Sequence, residues 1–468
     1  MGTGMSDTMQ HDKSQDLYYE RLKLFFLTAA FFCVIGAYTV AKELKNSVIA
    51  HTVGVDYIPL VRTGVMFALI PVLFLYSNLI DRLRRYQILC VCSGAFAVLG
   101  LVFAYLLGQP GIGILNTDES PYRLFGWFFY FFVEGYSPFV VSVFWAFANS
   151  INSPEEARNN YGLMVSGSKL GGMLTAGLAM ILLTLRTADG NQLYTDVTNH
   201  QILLIGTSVM LLMVPIIITI MMKKIPGRYL HGYEAVYQVE KERKHGEGAG
   251  VLAGLVMLIK YPYVLGIFGM TFFYEVVSTV LSYLSVKMAR DIGSTASESL
   301  WYLLKIILFT HLVGFFISLF GTSVLFRALG VKRCLFLIPV STGAILLYYM
   351  LNVTSAGALL IALVALRSIN YAFSYPLRES LYIPTIKEIK FKSKSWIDAF
   401  GSKFAKTSGS TFNIFAQWIG KSSASYMTTY SFFFAGVVGL WGLTAWLLGV
   451  RFDRAVAKDE VIGIENES

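Results

Sequence analysis

The sequence predicts an all-α polytopic membrane protein of about twelve transmembrane helices arranged as two six-helix bundles. Three observations carry this prediction. The 468-residue chain is 55% hydrophobic and only 14% charged, with a mean hydropathy of +0.58, too apolar for an ordinary soluble protein. Its apolar residues fall in repeated runs near the roughly 20-residue length that crosses a bilayer as a helix. One long charged stretch, KKIPGRYLHGYEAVYQVEKERKHGEG after Met222, separates about six such runs from about six more.

Taken in order, the expected spans lie near 24–41, 58–80, 88–108, 124–148, 161–185, 201–222, 263–287, 300–326, 333–351, 355–377, 399–420 and 429–450. The domains expected from them are a tail over 1–22, a first bundle over 23–224, a linker over 225–258, a second bundle over 259–451 and a tail over 452–468. The first apolar run is long and has no small-residue cleavage site, so it reads as a retained helix. Lys and Arg accumulate in alternate loops, as in Arg82, Arg84 and Arg85 after the second span and Arg327, Lys332 and Arg333 after the eighth. Such loops stay in the cytoplasm, which puts both termini there. The net charge of +9 follows from this topology and from the cations described next, and implies no nucleic-acid partner.

The two basic turns occupy the same place in the order of helices, which suggests an internal repeat. Two related bundles around a midplane site are the layout of a rocking transporter, as in the major facilitator fold. Small residues cluster in the fifth span (Gly162, Ser166, Gly167, Ser168, Gly171, Gly172) and in the eleventh (Gly401, Ser402, Ser408, Gly409, Ser410). Close helix packing accounts for most of them, yet Lys169 and Lys406 sit inside these tracts.

Cations are in surplus within the apolar runs. Arg62, Lys169, Lys305, Arg367, Lys403 and Lys406 lie inside spans, with Lys287 and Arg378 at span ends; the accompanying carboxylates are Glu134, Glu275 and Glu379. A charge at the centre of a bilayer helix costs at least ~2.5–3.5 kcal/mol on insertion scales, so it faces a cavity and finds a partner there. The shortfall of carboxylates points to an anionic ligand. Lys403 and Lys406, three residues apart, share a helix face, and Lys169 holds the comparable place in the first half. At about 4 Å and an effective dielectric near 20 a unit pair is worth roughly 4 kcal/mol before desolvation, so several cations can offset the cost of stripping water from a phosphate chain. Glu134 and Glu275 either orient these cations, bind a proton, or form structural ion pairs. Tyr136, Trp145 and Tyr371 lie beside the polar positions, where a base would stack.

No soluble nucleotide motif is present: Gly401 to Thr407 (GSKFAKT) has Ala405 where a phosphate loop needs its second glycine, and no strand precedes it. No metal-ligand set and no nucleophile, base and orienter can be assembled, so neither an enzyme nor a cofactor is expected.

Phe144 to Asn149 (FWAFAN) and Glu156 to Tyr161 (EARNNY) resemble the FWxFAN and EA(K/R)xxY signatures of the bacterial and plastid ATP/ADP translocases. Tyr371 to Pro384 (YAFSYPLRESLYIP) resembles their YSxxDPxKExxYIP stretch, and Ile397-Asp398 with Lys406 to Gly409 resembles their later ID and GKSGG elements. With Lys45 placed like the family's Lys-Asp after the first span, the matches run in order along most of the chain. The resemblance implies exchange of ATP against ADP across a membrane, a bacterial inner membrane, by a carrier whose cations hold the phosphates. The positions it carries over are Lys45, Glu134, Arg378, Glu379 and Lys406, with Arg62 where the family commonly has lysine. Asn370 and Arg378 replace lysines, Tyr375 replaces an aspartate, and Glu134 sits one residue closer to the FW pair.

The expected function is therefore nucleotide transport, as an ATP/ADP antiporter working by alternating access, with Lys45, Arg62, Glu134, Lys169, Glu275, Arg378, Glu379, Lys403 and Lys406 around the substrate. The partners expected are a nucleotide and the lipid bilayer, with the chain acting as a monomer. Two alternatives stand beside this. One is a proton-coupled carrier of another nucleotide or phosphorylated anion, with Glu134 or Glu275 as the proton site. The other is a membrane enzyme using a phosphorylated donor, against which stand the related halves and short loops.

Overall fold

The computed structural model describes residues 3–80, 82–152, 154–230, 252–320, 322–386, 389, 393–419, 423–458 and 460–463. Among these residues the chain is helical almost throughout, as a bilayer requires of backbone that must bond within its own segment. Extended pairing is confined to two isolated bridges, Arg186 with Gln192 and Thr385 with Ile462.

The helices are α1 (Thr3–Ile49), α2 (Ile58–Ile80), α3 (Arg85–Leu107), α4 (Leu124–Tyr136), α5 (Ser142–Ile151), α6 (Pro154–Thr184), α7 (Asp196–Lys224), α8 (Leu252–Lys260) and α9 (Pro262–Ile292). They continue as α10 (Ala296–Phe320), α11 (Thr322–Leu351), α12 (Ala356–Ile369), α13 (Tyr375–Ser380), α14 (Lys394–Trp396), α15 (Ser402–Ile419) and α16 (Ser423–Ala457). Five-residue π-helical turns follow α1 (Ala50–Gly54), join α4 to α5 (Ser137–Val141) and α12 to α13 (Asn370–Ser374), and precede α15 (Ile397–Gly401).

Among the described residues, all twelve expected spans fall on helices or the π turns that continue them. Among the described residues, nine helical stretches are long and apolar enough to cross a membrane, and one of them, Gln15–Ala68, contains the first expected span and the start of the second. Two spans escape that count for physical reasons. The apolar helix α12 is cut to 14 residues by the π turn after Ile369, and α15 carries Lys403, Lys406 and a run of hydroxyl and amide side chains. Within α11 the helix breaks at Gly330, whose φ of 71° and ψ of 167° suit a residue without a Cβ. That break lies in the second of the two basic turns.

The chain divides into two compact units. The first comprises Met1–Val53, Ala68–Gly248 and Thr295–Leu308; the second comprises Gly54–Phe67, Ala249–Ser294 and Phe309–Ser468. In the first unit, α1 packs against α6 and α7, and α3 against α7. Its core includes the stacked rings of Phe31 and Phe144, 4.5 Å apart, and Leu300 and Leu304 of α10 join the cluster around Leu44 and Phe129. Buried Lys23 donates to the carbonyls of Ile151 (3.2 Å) and Tyr229 (3.1 Å), a cation placed at the C-terminal end of α5 where the helix dipole favours it. Ile225, Tyr229 and Leu230 belong to this core, so the chain just beyond α7 is packed. In the second unit, α9 packs against α15, α16 and α12, and α11 against α16.

Close approach in each unit rests on a glycine. A Cβ at Gly171 of α6 would lie 2.5 Å from the Phe32 carbonyl oxygen of α1, and one at Gly409 of α15 would lie 2.9 Å from the Val276 carbonyl oxygen of α9. Helices in lipid associate through such close contact because burial of apolar surface gains little there. The fifth span on the first and the eleventh on the seventh are the same pairing in the two halves. The π turns between α4 and α5 and between α12 and α13 are a second shared feature, in spans four and ten.

Candidate functional site

In the first unit α1 runs on to Ile49 instead of ending near 41, which brings Glu43, Lys45 and Asn46 inside the helix, each at most 5% exposed. The Lys45 ammonium lies 2.7 Å from a Glu134 carboxylate oxygen and 3.9 Å from the centre of the Tyr130 ring. Tyr130 and Glu134 are four residues apart and so share a face of α4. The π turn that begins at Ser137 follows directly; such bulges are frequent where a helix carries function. Asn46 donates to Glu43 at 3.0 Å. Lys169 of α6 is half-buried, two residues before the Gly171 contact.

The second unit orders its cations along one helix. Thr271, Glu275, Thr279 and Ser282 fall at steps of four, four and three on α9, a single face about 16 Å long at 1.5 Å per residue. Arg378 donates to the Thr271 hydroxyl at 2.7 Å. Lys406 lies 3.9 Å from Glu275, which also accepts from the Ser402 hydroxyl at 3.2 Å. Arg62 donates to the Thr279 carbonyl at 3.0 Å, and Arg367 to the Ser282 hydroxyl at 2.9 Å. Each of the three guanidiniums thus has a neutral oxygen of this stripe among its acceptors. Among the described residues, Arg367, only 7% exposed, has no carboxylate within 4.0 Å. Lys406 is half-exposed, and Lys403, one turn before it, is half-buried. Glu379 is held 2.5 Å from Lys394.

The expected site residues therefore fall into two groups: Lys45, Glu134 and Lys169 in the first unit, and Arg62, Glu275, Arg378, Glu379, Lys403 and Lys406 in the second. Of the aromatic candidates, Tyr136 is buried, donates to the Val34 carbonyl at 2.7 Å and stacks on Tyr38, so it is a packing residue. Trp145 packs edge-on to Phe31. Tyr371 is 55% exposed. The motif Glu156 to Tyr161 and the side chain of Tyr375 lie outside the described side chains. Glu43 and the stripe on α9 are further residues of these groups whose signal is present in the sequence: Thr271, Glu275, Thr279 and Ser282 keep helical spacing.

A family model described as TLC ATP/ADP transporter matches residues 17–121 and 122–452. The chain belongs to this family. Among its relatives are ADP,ATP carrier protein 5 of Rickettsia typhi, 21% identical over 436 residues covering 83% of this chain and 85% of that protein, and ADP,ATP carrier protein 4 of Rickettsia prowazekii, 23% identical over 455 residues covering 88% and 87%. Among solved structures, the chain resembles the inward-open xylose transporter XylE of E. coli, with a TM-score of 0.59 and 11% identity over 96% of this chain and 98% of that one. It also resembles the nucleoside transporter NupG, with a TM-score of 0.53 and 12% identity over 93% and 99%. The TLC chain therefore has a major-facilitator-like fold and is a multi-pass membrane transporter.

Proposed function

We propose that this TLC-family chain is an ATP/ADP antiporter that works by alternating access and catalyses no reaction. The reading rests on family membership, and the observation in the molecule that supports it is Arg367, a buried guanidinium hydrogen-bonded to a neutral serine on a stripe that also holds Arg62, Arg378 and Lys406. Such cations are kept ready for an acceptor stronger than a hydroxyl, and phosphate oxygens bond arginine in pairs. In this reading Lys45, Arg62, Lys169, Lys403 and Lys406 neutralise phosphate, with Arg367 and Arg378 beside them. Glu134, Glu275 and Glu379 hold lysines in place when no nucleotide is bound.

The bundles 23–224 and 259–451 carry the alternating motion, the linker 225–258 joins them, and both tails stay in the cytoplasm of a bacterium whose inner membrane holds the carrier as a monomer. The test is uptake of labelled ATP into proteoliposomes loaded with ADP, with another nucleotide, or with nothing. Uptake that requires internal nucleotide and is lost in Lys406→Ala supports exchange. Equal uptake into empty vesicles, driven by a proton gradient, overturns it in favour of proton coupling.

A further inference from the structure

A cavity of about 610 Å³ opens on another face of α9, away from Thr271 and Glu275, between that helix, Phe404 of α15 and the last turns of α16. Its floor is narrow because Gly266 and Gly269 let α9 meet α16: a Cβ at Gly266 would lie 3.0 Å from Leu448, and one at Gly269 would lie 2.9 Å from Thr444. Phe268 and Phe272 form one wall, and Leu447 of the facing helix is 53% exposed. The lining of α9 runs from Pro262 to Phe273, about 16 Å of helix at 1.5 Å per residue. Half of a bilayer's hydrocarbon core is about 15 Å. The trough therefore has the depth of one leaflet.

Only the shallow end is charged. Arg451 lines it, Arg454 follows three residues on in the same helix, Lys458 stands in the turn just past that helix's end, and Lys260 stands two residues before Pro262 with its ammonium over the Tyr261 ring. Arg451 is engaged by both oxygens of Glu460, a residue of the C-terminal tail. An apolar trough one leaflet deep, ending at clustered cations, matches a phospholipid acyl chain with an anionic headgroup.

We infer that this trough is a specific site for an anionic phospholipid of the adjacent leaflet, whose phosphate competes with Glu460 for Arg451. The inference requires only that the chain span a bilayer, and is independent of the transported substrate.

The test uses the full-length protein in mixed micelles with phosphatidylglycerol carrying a photoactivatable acyl chain, or phosphatidylcholine with the same chain, and maps the labelled peptides by mass spectrometry. The expected result is labelling of 262–273 and 444–451 several-fold stronger with phosphatidylglycerol. Arg451→Gln should reduce it to the phosphatidylcholine level, Glu460→Gln should raise it, and Leu447→Trp should block it for both lipids. Excess soluble glycerophosphate should leave wild-type labelling unchanged, because the acyl chain contributes most of the contact. Equal labelling by the two lipids overturns the proposal and leaves a surface wetted by bulk lipid. Insensitivity to both Glu460→Gln and Leu447→Trp overturns it as well, even if Arg451→Gln does not fold.

Discussion

Lys45 and Glu134 meet at 2.7 Å, and the ammonium also sits 3.9 Å above the ring of Tyr130. The lysine side chain is 4% exposed and the glutamate 27%, so the pair is asymmetric: the cation has left water and the carboxylate has kept some. Two residues of α4 one turn apart thus both contact the Lys45 ammonium, and a π turn begins three residues beyond Glu134.

Removing the carboxylate takes the ion-pair partner at 2.7 Å away from a buried ammonium. Breaking a buried pair from one side costs about 3–5 kcal/mol, and the partial exposure of Glu134 reduces that figure. Glu134→Gln should therefore lower the thermal midpoint in detergent, and Lys45→Gln alone should lower it less. The double variant should lie closer to wild type than Glu134→Gln does, with a coupling energy of about 1 kcal/mol or more. Tyr130→Phe should leave the midpoint nearly unchanged, since it keeps the ring; a cation over an aromatic face is worth about 0.5–2 kcal/mol.

Arg367 gives the opposite sign in the absence of ligand. A buried guanidinium hydrogen-bonded to the Ser282 hydroxyl, with no carboxylate within 4.0 Å among the described residues, is a cost that the empty protein carries. Arg367→Met retains most of the volume and removes the charge. Its thermal midpoint without nucleotide should equal or exceed that of wild type, while the apparent affinity for ATP, read from the midpoint as a function of ATP concentration, should fall at least tenfold, a change of about 1.4 kcal/mol. A large loss of stability without ligand would show that Arg367 serves the fold alone.

Much of this was legible in the residues, and what was not has physical causes. Glu134, Glu275 and Lys406 stand out because charges in apolar runs are costly wherever the helices pack, whereas Lys45 enters through the family resemblance alone. Which carboxylate meets which lysine depends on packing across helices distant in sequence, and spacing within one span carries no record of it. Glu43 is not expected in the site because the first apolar run stops at the charged pair Lys42-Glu43, whereas α1 continues to Ile49 with Glu43 and Lys45 buried. The Thr271, Thr279 and Ser282 stripe consists of neutral residues, which cost little in a helix and so attract no notice until guanidiniums are seen to dock on them. Lys23 sits where a solvated tail would begin; its burial is set by the carbonyls of Ile151 and Tyr229, the latter 206 residues away in the chain.

The glycines separate close approach from mere small size. At Gly171 a Cβ would lie 2.5 Å from a backbone oxygen of α1, whereas at Gly162, on the same helix, nothing lies within 4 Å. Gly171→Ala should destabilise the protein by about 1–3 kcal/mol, the usual cost of overpacking where the neighbour is backbone. Gly162→Ala should be neutral or stabilising by up to about 1 kcal/mol, because alanine is the better helix former. Thermal unfolding of the two variants side by side decides the matter, and equal effects would mean that α1 and α6 do not meet at Gly171.

The C-terminal tail gives a dependence on pH. Its docking combines three contacts: Glu460 with Arg451, Ile462 paired by backbone bonds with Pro384 and Ile386 at 2.7 and 3.0 Å, and the Tyr261 hydroxyl donating to Gly463 at 3.3 Å. Hydrogen bonding from Arg451 holds the Glu460 carboxyl below its ordinary value, with the positive charges of Arg451, Lys458 and Arg454 acting in the same direction. A carboxylate lowered by docking stabilises the docked tail at neutral pH, and that contribution is lost as pH falls through the lowered value. Protection of the Ile462 amide against hydrogen exchange, corrected for the intrinsic rate, should therefore be full at neutral pH and fall as the solution is acidified. Glu460→Gln should show the reduced protection already at neutral pH and lose most of the acid dependence. Because the tail holds 384–386, a few residues past Arg378 and Glu379, the same acidification should also loosen the hydrogen bond from Leu381 to the Arg378 carbonyl. Unchanged protection at Leu381 would confine the effect to the tail.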